Sequence, residues 1–233
     1  MNQKTKNKIE GLTENKEKFH SYVDFYFQLP KFSGPSVYFH EKTIGLVRKT
    51  DNFDNLIVSN NFLESCYATL TSWGMHKMGP TGPKLKNFED FSDSIRQNQT
   101  KILNLKQYCL NEITEDKMKI LLPQIDLLFQ NLNIMDSGIK LIGNSKLLHH
   151  ILPDLIPPMD REYTLNFFYG NKVVSSSDER KKFSEIFLYF WYICKKLELQ
   201  NEDCLKYPRF TTSVPKLIDN AIIGYILKEE PKI

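Results

Sequence analysis

The sequence predicts an all-α protein, a compact multi-helix fold of about nine helices. Three observations carry that prediction. Strand-like alternation is almost absent from the 233 residues, while apolar residues recur at helical spacing behind Ser, Thr, Asp or Asn. Two stretches in the C-terminal third read as core helices: 177–199, apolar nearly all round, and 214–227, with Val214, Leu217, Ile218, Ala221, Ile222 and Tyr225 on one stripe. Hydrophobic residues at 41% and charged residues at 25% supply a core without the charge excess of a disordered chain.

Taken in order, residues 1–18 are charged and expected to be a flexible segment ahead of one all-α domain over 19–233. "FHSYVDFYFQL" (Phe19–Leu29) reads as an aromatic-rich amphipathic helix stopped by Pro30. "SGPSVYFHEKTIGLVRK" offers Ser33 or Gly34 as a cap and Pro35 near the first helical position. A strand through Val37–Phe39 competes there, because β-branched and aromatic residues cluster. Asn60 or Asn61 caps the next helix, from Phe62 to about Trp73. "GMHKMGPTGPK" (Gly74–Lys84) breaks it with glycines and prolines. Asn87 opens a helix with Phe88, Phe91 and Ile95 at core spacing, and Thr114 opens one that Pro123 should kink. Ser213 caps the last helix, with Pro215 in its first turn.

Composition narrows the function classes. A net charge of +3 permits phosphate-bearing partners without demanding them. The opening "MNQKTKNKIEG" lacks an apolar segment, and no run approaches the ~18 apolar residues of a membrane span, so the cytoplasm is the expected location. Cys66, Cys109, Cys194 and Cys204 form no closely spaced pair and read as buried small hydrophobes, so neither metal nor cofactor is expected. "HEKTI" at His40 has Ile44 where a zinc protease needs its second histidine.

The chemistry-bearing stretch is "GNSKLLHHILPDLIPPMDREYT" (Gly143–Thr164). With the preceding "SGIKLI" it reads as a short helix ended by a glycine turn at Gly143, then a helix Lys146–Leu152 capped by Asn144 or Ser145. Pro153, Pro157 and Pro158 force an extended passage, and Asp160 stands where an N-cap belongs. Helix, glycine turn, helix, proline-rich segment and aspartate together resemble the core of the helix-hairpin-helix DNA glycosylase superfamily. Leu141, Ile142 and Gly143 stand in its hairpin, Lys146 near its lysine, Pro157 near its proline and Asp160 at its aspartate. The resemblance departs at the hairpin's first glycine, where this chain has Leu141, and Lys146 lies one position late. It implies two helical lobes with a cleft near 143–164. It further implies hairpin amides on a DNA phosphate, Asp160 assisting base removal, and Lys146 attacking the sugar as an amine.

Each residue also has a plainer role. Asp160 serves as a helix cap, and Lys146 as a solvated first-turn residue. His149 and His150 diverge on their helix, one bonding in the core while the other faces a cleft. "TSWGMHKMGPTGPKLK" (Thr71–Lys86) gathers Trp73, His76, Lys77, Lys84 and Lys86 around a glycine-rich turn. The lysines there suit phosphates and the aromatics suit stacking, unless Trp73 packs back into the core. With Gly143, Asn144, Ser145, His149 and Arg161, these are the candidate nucleic-acid contacts. DNA is the expected partner of such a surface. The competing function is a non-catalytic helical module that binds nucleic acid or protein.

Overall fold

The structure is a computed structural model that describes residues 3–29, 34–75, 78–79, 82–207 and 210–230. Among these the fold is all-α. Helix α1 (Gln3–Leu12) precedes α2 (Lys16–Phe27), α3 (Pro35–Lys49) and the single turn α4 (Phe53–Leu56). Then come α5 (Asn60–Leu70), α6 (Phe88–Gln97), α7 (Gln99–Leu105) and α8 (Glu115–Asn131). Helix α9 (Leu141–Ile151) leads through an extended segment to the short α10 (Asn166–Tyr169). Helices α11 (Glu179–Lys196), α12 (Asn201–Cys204) and α13 (Val214–Glu229) complete the chain. Met78–Gly79 pairs antiparallel with Gly82–Pro83 as a two-residue ladder.

Caps set most boundaries. Asn15, Ser59, Asn87, Thr114 and Ser213 each accept the third backbone N–H of the helix they open, giving an otherwise orphaned donor its partner. Ser59 takes the place expected of Asn60 or Asn61. The Val37–Phe39 segment is helical, inside α3, with Gly34 as its N-cap; the other cap candidate, Ser33, lies outside the described residues, as does Pro30.

One apolar cluster runs from Ile9 to Ile226 and takes in residues of nearly every element. Helix α13 lies deepest in it. Twelve of its residues are buried, including Leu217, Ile218, Ala221 and Ile222. It packs closely along α2, where a Cβ on Gly224 would lie 1.9 Å from the Tyr22 carbonyl oxygen. Only a glycine lets the two backbones meet there. Helix α11 instead buries one stripe through Phe183, Phe187 and Phe190 and leaves Tyr192 exposed. The four cysteines are free, and burial pushes the Cys194 and Cys204 thiols up to about 12.

Two expectations need correction. The N-terminal segment is not a loose tail: Thr5, Lys8, Ile9 and Leu12 form a buried stripe on α1, and Lys8 pairs with Glu230 at the far end of the chain. The hairpin at Gly143 is absent, because Leu141–Ile151 is one continuous helix with Gly143 inside it. Gly143 answers a close approach rather than a turn, since a Cβ there would lie 2.3 Å from the Met135 sulfur.

Candidate active site

Helix α9 is held so firmly that one residue is left to face outward. Asn144 donates from Nδ2 to the Phe129 and Leu132 carbonyls, both at 3.0 Å, which ties α9 to the end of α8. The Ser145 hydroxyl donates to Ile142 O and accepts from Met159 N, each at 3.2 Å, which ties α9 to the extended segment after it. Between residues 141 and 151 only Lys146 is not fully enclosed; it is half-buried.

Asp160 ends that extended segment and caps the turn Arg161–Leu165. Its Oδ1 accepts from Tyr163 N at 2.6 Å and Thr164 N at 3.3 Å, leaving Oδ2 uncommitted among the described residues. Trp73 follows α5, where the backbone leaves helical dihedrals, and its ring N–H donates to the Ser36 carbonyl at 3.0 Å. That anchor turns the indole toward the other two residues.

Lys146 and Asp160 converge. Together with Trp73 and Gly74 they line two adjoining cavities of about 450 and 430 Å³. The larger continues over Tyr163, Phe210, Lys216 and Asp219, and the smaller opens past Lys84 and Arg161. The Lys146 amine sits 5.3 Å from the centre of the Trp73 ring and has no ion-pair or hydrogen-bond partner among the described residues. Burial lowers its pKa below the usual lysine value. Asp160 and Asp219 oppose that shift and Lys216 adds to it, and burial outweighs them. An amine so placed gains free-base character, as a nucleophile requires.

At the cavity's inner end Lys216 and Asp219 form an ion pair on the first turns of α13, with 2% and 4% of their surface exposed. The Lys216 ammonium lies 4.3 Å from the Phe210 ring centre and 5.7 Å from that of Trp73. Burial raises the Asp219 carboxyl, against the pull of Lys216. Phe210 holds φ at +53°, a left-handed backbone that costs a non-glycine residue on the order of 1–3 kcal/mol and recurs at ligand sites.

Three imidazoles lie beneath Trp73. The His150 Nδ1 is 2.7 Å from the Lys146 carbonyl oxygen, which only accepts, so the proton sits there. His150 Nε2 therefore accepts from His40 Nδ1 at 2.9 Å, and His40 Nε2 accepts from the Thr212 hydroxyl at 3.1 Å. His149 donates from Nδ1 to Ile156 O at 2.8 Å and leaves its buried Nε2 without a partner. All three are held neutral by burial, with His150 lowered to about 3. His40 stacks on Trp73 and His150 meets it edge-on, so the cluster sets the indole's orientation.

The other candidates divide. Lys84 and Arg161 are exposed at the smaller cavity, whereas Lys86 lines neither. Asn144, Ser145 and His149 are fully buried and cannot reach a nucleic acid. Of the hairpin amides expected to grip a phosphate, that of Leu141 is also taken. Glu179 Oε2 accepts from Lys140 N at 2.6 Å and Leu141 N at 3.0 Å, putting a carboxylate at the start of α9. His76 and Lys77 lie outside the described residues. Among those described, no group of His, Cys, Asp or Glu could hold a metal ion, and no helix is long and apolar enough to cross a membrane.

Lys216, Phe210 and Tyr163 were not singled out from the sequence. The available signal is a lysine and an aspartate three apart on an otherwise apolar helix.

Comparison with known proteins adds no relative: no family model, no curated protein and no solved structure matches this chain.

Proposed function

We propose that the chain acts on nucleosides in DNA as a glycosylase or abasic-site lyase, with Lys146 the amine nucleophile and Asp160 the carboxylate beside the sugar. One observation carries this reading. Lys146 and Asp160 line the same cavities, and among the described residues neither the amine nor the second oxygen of Asp160 has a polar partner. A volume of about 450 Å³ with aromatic walls lies in the range of ordinary ligand pockets and suits a base turned out of a duplex.

The chemistry follows from those two groups. The neutral amine attacks C1′ of the sugar and forms a C1′–N bond as the bond to the base breaks. The bonding pair leaves with the base, which takes up a proton. The C1′–O4′ bond then breaks with its electron pair going to O4′, which takes one proton from the nitrogen, and release of the second N–H proton leaves an imine on Lys146. The Asp160 carboxylate stabilises the positive charge that grows on the sugar. Phosphates fall to Lys84 and Arg161 at the outer cavity, since the start of α9 is held by Glu179. That loss of the hairpin grip favours the second reading, a module that binds without reacting.

Duplexes carrying an abasic site or a damaged base separate the two. Base release or strand cleavage is expected from the protein and should fall at least about a hundredfold in Lys146→Gln and in Asp160→Asn, the scale of losing a positioned acid–base or electrostatic group. Binding without activity on any lesion would establish the module instead. No binding to single- or double-stranded DNA at ~50 mM salt, where charge contacts are strong, would sink both.

A further inference from the structure

We infer that the inner end of the larger cavity takes a neutral heteroaromatic ring whose edge carries a hydrogen-bond donor next to an acceptor, recognised by Asp219 and Lys216. This rests on reading the cavity as a nucleoside site and names which rings it admits.

The first ground is what the ion pair leaves undone. A buried pair kept only for the fold would be expected to saturate its polar atoms, because stranded ones are costly away from water. Among the described residues the Lys216 amine donates to Asp219 Oδ2 alone, and Asp219 Oδ1 accepts nothing. Both side chains line the cavity. An N–H donor and a carboxylate acceptor thus stand side by side at its inner end. The matching ligand edge offers a carbonyl or ring nitrogen to Lys216 and an adjacent N–H to Asp219, in two parallel hydrogen bonds.

Shape is the second ground. The apolar part of the lining is Pro158, Met159 and Ile223 with the two aromatic rings of Trp73 and Phe210, which suits a flat ring rather than a flexible polar chain.

Charge is the third. The Phe210 face that would attract a cationic ring already carries the Lys216 ammonium, 4.3 Å from its centre. A cation held at that face repels a second. Bases made positive by ring alkylation are therefore excluded, while neutral lactam or amidine edges are admitted.

Nucleosides in equilibrium dialysis against the whole protein test this directly. Deoxyuridine and deoxyinosine should bind. 3-Methyldeoxyuridine and 1-methyldeoxyinosine, which lose the edge N–H, should bind about tenfold more weakly or worse, as expected for a bidentate pair. The cation 7-methylguanosine should not compete. Lys216→Met alone strands Asp219 and endangers folding, so the paired variant Lys216→Met/Asp219→Leu is the working control. It should stay helical by circular dichroism and bind deoxyuridine and its 3-methyl form equally. Equal affinities in the unaltered protein, or preference for the cation, would overturn the inference. A covalent adduct at Lys146 with no discrimination among rings would overturn it too, while leaving the amine chemistry standing. No nucleoside binding and no adduct would remove both.

Discussion

Lys146 keeps an amine half-buried against Trp73 with no ion-pair partner among the described residues. An exposed lysine titrates near ~10.4, and each unit of lowering raises its free-base fraction near neutral pH about tenfold. Burial is the largest influence on Lys146 and acts in that direction. Asp160 plays two parts with its two oxygens, one capping the next turn and one facing the cavity. The parts separate by mutation. Asparagine caps about as well as aspartate, so Asp160→Asn should melt close to the parent. Asp160→Ala removes the cap, costing ~1 kcal/mol and lowering Tm by ~2–4 °C in a chain of this size. Thermal melts followed at the helix band check this. An asparagine variant that melts as early as the alanine one would mean the charge, not the cap, holds the turn.

At the level of elements, α2 and α13 meet where a Gly224 side chain would collide with the Tyr22 backbone. Backbone cannot move aside as a side chain can, so Gly224→Ala should destabilise the fold although alanine is the better helix former by ~1 kcal/mol. Overpacking of ~1–3 kcal/mol or more opposes that gain, and the net loss should be ~1–2 kcal/mol, read from urea unfolding. An alanine variant more stable than the parent would mean the helices separate there at little cost. Legibility in the sequence follows the same physics. Helices with a polar cap and one apolar stripe, such as α6 and α8, were readable because cap and stripe are local signals. Gly143 was misread because a glycine that admits a neighbouring side chain looks, in sequence, like one that turns the chain. Helix α1 was missed because its lysines dilute the stripe of Thr5, Ile9 and Leu12. The order of Lys146 and Asp160 along the chain paired them, and the cavities they share are a tertiary feature that order does not show. Lys216 was not legible, because α13 is buried on nearly every side and shows no polar face that would mark a cavity.

For the whole molecule, the cavity wall of Phe210 and Ile223, with Trp73 packed on it, belongs to a second, smaller apolar cluster beside the main core. His40, His149 and His150 are fully buried, and burial holds their folded pKa values below the unfolded ~6.5. The unfolded chain therefore binds more protons, and stability drops as pH falls from ~6.5 toward about 3, where His150 titrates in place. Each excluded proton is worth up to ~1.4 kcal/mol per pH unit. Asp219, raised by burial, works in the opposite sense. Melting temperature should hold between pH 7 and 8 and fall steeply between pH 6 and 5, and a flat profile down to pH 4 would show that the imidazoles are not kept neutral. Two of these rings, His40 and His150, pack against the Trp73 wall beside which the Lys146 amine must react. The most direct measurement of that amine is borohydride trapping on a duplex with an abasic site, followed by peptide mapping of the adduct. A covalent adduct on Lys146, lost in Lys146→Gln while the variant stays folded, is the predicted result. An adduct on another lysine, or none from a protein that binds the duplex, would contradict it.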